Sequence, residues 1–346
     1  VLETESGFYA LKFAGMKEIR QPDQWFRMNK AQNKAEWLKA MEMRAIISFN
    51  AVYADKEDNI MLLHNTAGPI RNEAYDWTQP VDGTNSALIW DEITPFDEIP
   101  LLINPNSGWI VSANQDPFRA SAIKDNLNRS NYSKTLGIET KMTNRAYRVI
   151  EIFDNDKKFT EQDLLDAKFD NEYSKESRSI KYLQNVLAQE YEDQEFQEAQ
   201  AVLNAWDLKT DNDNRSAALG VCILSEEWRA FMNRIDAPSS KEMFKKCIDE
   251  LNDAFGRVDP LWSEVNMLIR GDLSLPIQGG PDTLRAVYGR PQDDGILKAV
   301  AGDGLVVSLS WDSDGNQESQ SIHQYGSATQ DSSSKHYDDQ VQLFVD

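Results

Sequence analysis

Two β-rich runs separated by three polar residues constrain this chain most. Residues 46–55 (IISFNAVYAD) and 59–65 (NIMLLHN) flank Lys56, Glu57 and Asp58, the sort of polar link that closes a hairpin. The first run breaks its own pattern once. Asn50 sits where a hydrophobe would fit ISF-x-AV, and asparagine is depleted in strands. A local violation of that kind favours a functional role for the residue.

The rest of the chain reads in blocks. Residues 8–13 (FYALKF) alternate like a half-buried strand. Residues 25–43 place Trp25, Phe26, Met28, Trp37, Leu38 and Met41 at helical spacings, with a break at Gln32 and Asn33. Residues 67–117 are crowded with turn words and tryptophans and show little helical period, which points to a site or an interface. Helical signals then run from Thr143, an N-cap, to about Ala254. Thr160 and Asp163 form a near capping box, and residues 179–206 predict one long amphipathic helix. After Asp259 the pattern returns to β, and residues 336–345 predict a short closing helix. The expected regions are 1–135, strands and loops with the hairpin; 136–257, helical; and 258–346, β-rich again.

Composition narrows the function classes. The chain has 346 residues, 40% of them hydrophobic and 10% aromatic, enough for a sizeable core. Its net charge of −21 opposes phosphate, which argues against nucleic acid or an anionic membrane as partner. No apolar run is long enough to span a bilayer. Cys222 and Cys247 lie in helix-like patterns and read as small core hydrophobes or as one disulfide, leaving the redox compartment undecided.

Single motifs carry little. His64, His323 and His336 are too scattered for a zinc spacing, and GxSxG, P-loop and GxGxxG words do not occur. His64, on a strand, reads as structural. The acidic turns at Asp55 and at Asp312 (WDSDGN) invite a calcium reading, but the twelfth position from Asp312 is His323 where an EF-hand needs a bidentate acid. Both read as β-turns.

The order of longer words is more specific. FNAVYADKEDNI, GPIR, YDWTQPVDGT, PFDEIPLLINPNSG and SANQDP follow one another, with TNRAYRVIEIF, WDLKTDNDNRSAAL, LIRGDLSLPIQGGPDTLRA and HYDDQ further on. This series resembles the penicillin acylase-like amidases, a branch of the N-terminal-nucleophile hydrolases. The late words are most similar to the sub-branch acting on acyl-homoserine lactones and lipopeptide antibiotics.

The resemblance implies an α+β fold, part of an αββα sandwich with an inserted helical layer. It implies an enzyme hydrolysing carbon–nitrogen bonds of linear amides, with no required cofactor and a structural calcium as an option (Asp55 as one ligand). Asn50 would be an oxyanion-hole donor and Arg71 an active-site support. Asn104, Asn114 and Asp116 would be scaffold, Trp77, Trp90 and Trp109 anchors, and residues 336–340 a polar lock. Asp58 stands where the family has glycine. The family's nucleophile is a serine freed by self-cleavage, and Val1 has no hydroxyl. The resemblance therefore places the nucleophile upstream, makes the small chain and the N-terminal part of the large chain partners, and leaves this fragment inactive alone. It also implies a periplasmic or exported protein acting on a small acylated amide. The alternative from another class is a non-catalytic relative that binds an acyl ligand or a partner.

Overall fold

In the computed structural model, which describes residues 1–155 and 157–346, the chain forms two units, Val1–Met142 and Thr143–Asp346. The first opens with a ribbon of β1 (Leu2–Thr4) and β2 (Gly7–Tyr9). The pattern over residues 8–13 predicts a longer strand, but it stops at Tyr9. Phe8, Leu11 and Phe13 are exposed, so the alternation has no buried face in this unit to keep it extended. Helices α1 (Gln21–Lys30) and α2 (Lys34–Met41) follow. They part at the expected break, where the Asn33 side chain accepts the Glu36 N–H at 3.0 Å and caps α2.

The hairpin forms as predicted. Strands β3 (Phe49–Ala54), β4 (Ile60–Asn65) and β5 (Leu101–Ile103) make an antiparallel sheet in the order β3-β4-β5. Its turn works because Asp58 adopts a left-handed φ of 59° and Asp55 Oδ1 accepts the N–H groups of Glu57 and Asn59 at 3.0 and 3.1 Å. Side chains alternate between the two faces of the sheet. Ala51, Met61 and Leu63 pack with Trp37 and Met41 of α2, while Leu62 and Leu102 pack the other way with Ala120. Asn50 and His64 lie opposite each other on that second face. Residues 67–117, expected to lack regular structure, are mostly irregular but contain β5 and a bridge between Pro69 and Ile93. Three residues between Pro100 and Asn104 are too short a run to announce a strand.

In the second unit, α3 (Asn144–Phe153) is capped by Thr143 Oγ1, which accepts the Ala146 N–H at 3.1 Å, and α4 (Glu161–Lys168) by the Thr160–Asp163 capping box. The single helix expected over residues 179–206 is two: α5 (Arg178–Leu187) and α6 (Gln194–Asn204). The break is stabilised from both sides. Gln200 Nε2 on α6 donates to the Leu187 and Gln189 carbonyls at 3.2 and 2.8 Å, satisfying groups that the end of α5 leaves open. Tyr191, inside the break, stacks on Phe196 and packs against Phe244. Helices α7 (Ala217–Asn233) and α8 (Ser240–Phe255) complete this core, with Leu183, Leu219, Ile223, Phe244, Ile248 and Trp262 buried at its centre. A disulfide between Cys222 and Cys247 ties α7 to α8, deciding between the two readings left open above.

The one-turn α9 (Trp262–Val265) leads into β6 (Asn266–Arg270), β7 (Leu273–Pro276), β8 (Val287–Pro291) and β9 (Leu297–Gly302). They form a sheet ordered β7-β6-β9-β8 in which β6 and β9 run parallel. A hairpin of β10 (Leu305–Trp311) and β11 (Gln317–His323) follows, its turn held by Asp312 Oδ1 accepting the N–H groups of Asp314 and Asn316 at 2.9 and 2.8 Å. The closing helix, α10 (Val341–Val345), starts later than expected. The residues before it form polar ties: His336 Nδ1 lies 2.7 Å from Asp339 Oδ2, and Gln340 Oε1 accepts the His323 N–H at 2.8 Å. Among the described residues no helix is long and apolar enough to cross a membrane.

Candidate active site

Asn50 and His64 meet across the β3–β4 ladder. His64 Nδ1 lies 2.8 Å from Asn50 Oδ1, and Asn50 Nδ2 donates to the Gln115 carbonyl at 3.0 Å. With Asn50 Oδ1 as the acceptor, this contact is a hydrogen bond in the imidazole tautomer that carries its proton on Nδ1. Burial pushes the His64 pKa down to about 4, which keeps the ring neutral near pH 7. The Asn50 carboxamide is thus held at both ends, and Nδ2 keeps a second hydrogen that Gln115 does not use.

The loop bringing Gln115 to this point is fastened from within. Gln115 is buried; its Oε1 accepts the Ala113 N–H at 2.5 Å and its Nε2 donates to the Val111 carbonyl at 2.8 Å. Next to it, Asp116 Oδ1 accepts the Phe118 N–H at 2.9 Å, and Oδ2 lies 3.5 Å from Arg119 Nε. Burial raises the Asp116 pKa, with the Arg119 guanidinium opposing it.

These groups border a cleft of about 360 Å³ whose walls include Ser48, Asn50, His64, Asn114, Gln115, Asp116 and Gly137, within the size range of small-ligand clefts. Ser48 (φ 66°), Asn114 (φ 62°) and Gly137 (φ 69°) are left-handed. Glycine takes that conformation freely, whereas for Ser48 it costs on the order of 1 kcal/mol, the kind of strain that collects at functional sites.

Arg71 stands behind the wall. Its Nη2 donates to the Thr135 carbonyl at 2.5 Å, its guanidinium lies 4.9 Å over the Trp77 ring, and a Cβ on Gly137 would meet Nη2 at 3.4 Å. Burial lowers its pKa. Asp55, Asn59 and Asn104 gather at the far end of the hairpin, about 17 Å along the strand from Asn50. There Asp55 accepts from Tyr53 Oη at 2.8 Å and Asn59 Nδ2 at 2.9 Å, and Asn104 Oδ1 accepts the Ile60 N–H at 2.9 Å. Trp90 lies under the Lys12 ammonium, and the Trp109 carbonyl accepts from Ser121 Oγ at 2.9 Å. Cys222 and Cys247 approach Glu250, but sulfurs joined in a disulfide are not thiolate ligands, so one carboxylate remains there. Sequence reasoning passes over Gln115 and gives His64 a structural place only. The word ANQDP was the available signal, a turn whose asparagine readily takes the left-handed conformation.

A family model described as Penicillin amidase matches residues 1–346. Penicillin G acylase of Escherichia coli is 35% identical over 101 residues, a stretch that is 29% of this chain and 12% of that protein's length. The thermostable penicillin G acylase of Alcaligenes faecalis superposes with a TM-score of 0.57 over 95% of this chain and 68% of its own, at 17% identity. That likeness shows the fold: mixed helices and sheets of the N-terminal-nucleophile hydrolase type.

Proposed function

Because the chain belongs to the penicillin amidase family, we propose that it supplies the oxyanion-binding part of an N-acyl amide hydrolase. The observation that carries this reading is the Asn50 carboxamide, fixed by His64 and Gln115 at the edge of a cleft. In the mechanism, a serine hydroxyl from an upstream segment attacks the amide carbonyl. The serine's own α-amine, with an ordinary pKa of about 7.7–8.0, takes the proton. Negative charge then develops on the carbonyl oxygen, where the second hydrogen of Asn50 Nδ2 stabilises it more strongly than in the ground state. Collapse expels the amine, which leaves with the proton. Water next attacks the acyl-serine ester, the same oxyanion forms again, and the acid departs. No cofactor enters the scheme.

The substrate class we infer is a small acylated amide of the penicillin, acyl-homoserine-lactone or lipopeptide type. The small chain and the N-terminal part of the large chain of the same precursor would be the partners. The Cys222–Cys247 disulfide supports a periplasmic or exported location, since such bonds persist in oxidising compartments. The test is to express the complete gene product and follow amine release from a panel of phenylacetyl, medium-chain and long-chain acyl amides. Turnover of at least one class is expected. Saturable acyl-ligand binding without amine release would instead support a non-catalytic relative.

A further inference from the structure

We propose that Cys222 is the sulfur at which small thiols enter and open the Cys222–Cys247 disulfide of the folded protein, and that the site favours a neutral or cationic aminothiol over an anionic thiol. Three observations carry it. The two sulfurs are unequally placed. Cys247 has no exposed surface and sits in the core built by α5–α8, whereas Cys222 is half-buried and lines a cleft of about 570 Å³ between α7, α8 and the β8–β9 turn. Next to the accessible sulfur stands a carboxylate, with Glu250 Oε2 3.8 Å from Cys222 Sγ. The charged residues lining the cleft are Glu226, Glu250, Asp253 and Asp293 against Arg229 and Lys246, so acids outnumber bases four to two. Both bases are already engaged, Arg229 with Glu226 at 2.7 Å and Lys246 with Glu250 at 3.6 Å.

Thiol–disulfide exchange begins with a thiolate on the sulfur it attacks, so access decides which sulfur reacts. A thiolate entering the cleft forms a new S–S bond to Cys222. The Cys222–Cys247 bond breaks, its electron pair goes to Cys247, and that sulfur takes a proton to become a thiol. A second thiol molecule then attacks the adduct and leaves as the small-molecule disulfide, so two thiols are oxidised for one protein disulfide reduced. The charge of the incoming molecule enters at the first step. An anionic thiol brings negative charge toward Glu250 and the unpaired acids of the rim, while the ammonium of an aminothiol is drawn to them. The consequence lies in the helical core. The bond cross-links α7 to α8, so a thiol of the right charge releases that tie without prior unfolding of the chain.

The test is exchange of the complete, processed protein with cysteamine, a cationic thiol, and glutathione, an anionic one. Each rate is divided by that thiol's rate with an exposed small-molecule disulfide. After acid quench, peptide mass spectrometry should find the thiol adduct on the Cys222 peptide and a free thiol at Cys247. The normalised rate should be about 10-fold higher for cysteamine at low salt, and the gap should shrink toward unity at 1 M salt. Glu250→Gln, a change at an exposed side chain, should narrow the low-salt gap to about 3-fold. Urea below the unfolding transition should leave the rates unchanged, because the native state itself reacts. An adduct mainly on Cys247, equal normalised rates for the two thiols, a gap that Glu250→Gln leaves untouched, or a rate that climbs steeply with low urea overturns the proposal.

Discussion

At the residue scale, the proposed chemistry hangs on a side chain, Asn50, that violates local preference and is held by hydrogen bonds at both ends of its carboxamide. Asn50 is visible in the sequence because a strand position calling for a hydrophobe carries an amide. Its partners are not visible. Gln115 lies 65 residues away and contributes a main-chain carbonyl, which no side-chain pattern records. His64 is an ordinary strand histidine until the β3–β4 register sets it opposite Asn50. Its environment also has a pH consequence. The folded-state pKa of about 4 lies below the 6.5 of a free histidine, so the unfolded chain binds the proton more readily. His64 therefore contributes stability that is fully present above pH 6.5 and is lost as pH falls toward 4. The loss between pH 7 and pH 5 should be about 2 kcal/mol. Urea melts of wild type and His64→Asn across this range should diverge below pH 6.5, with the variant the less pH-sensitive; parallel curves would refute the assignment.

At the scale of elements, the local signals held and the long-range ones did not. Caps at Asn33, Thr143 and Thr160 and the Asp55 turn involve residues two to four apart, so their words could be read directly. The break in residues 179–206 depends on Gln200 folding back onto the carbonyls at the end of α5, a contact invisible to helical periodicity. The closing segment is similar, since Gln340 is tied to β11 before α10 begins. Two expectations belong here. The Cys222–Cys247 bond closes a 25-residue separation between α7 and α8, so its removal by Cys222→Ser with Cys247→Ser should cost about 3 kcal/mol through the unfolded chain's entropy. Denaturant titration of the oxidised and variant proteins checks this. Gly220, on α7, leaves no room for a methyl: a Cβ there would fall 2.2 Å from the Trp206 ring. Gly220→Ala should therefore destabilise by about 1–3 kcal/mol despite alanine's better helix propensity, and a rise in Tm would contradict the packing.

For the whole molecule, the ordered words spread from Asn50 to Gln340 identified the family before any geometry was known, and the match across residues 1–346 agrees with them. Fold type was legible for that reason, whereas composition alone left it open. The charge of −21 argues against a nucleic-acid role and does not bear on which amide would be the substrate. The proposed function rests on Asn50 as the oxyanion donor. The most direct measurement is therefore the single-turnover acylation rate of the complete enzyme carrying Asn50→Ala, with correct processing verified by the mass of its chains. The account expects a fall of about 10²–10³-fold with substrate affinity nearly unchanged. A rate within a few-fold of wild type would contradict it.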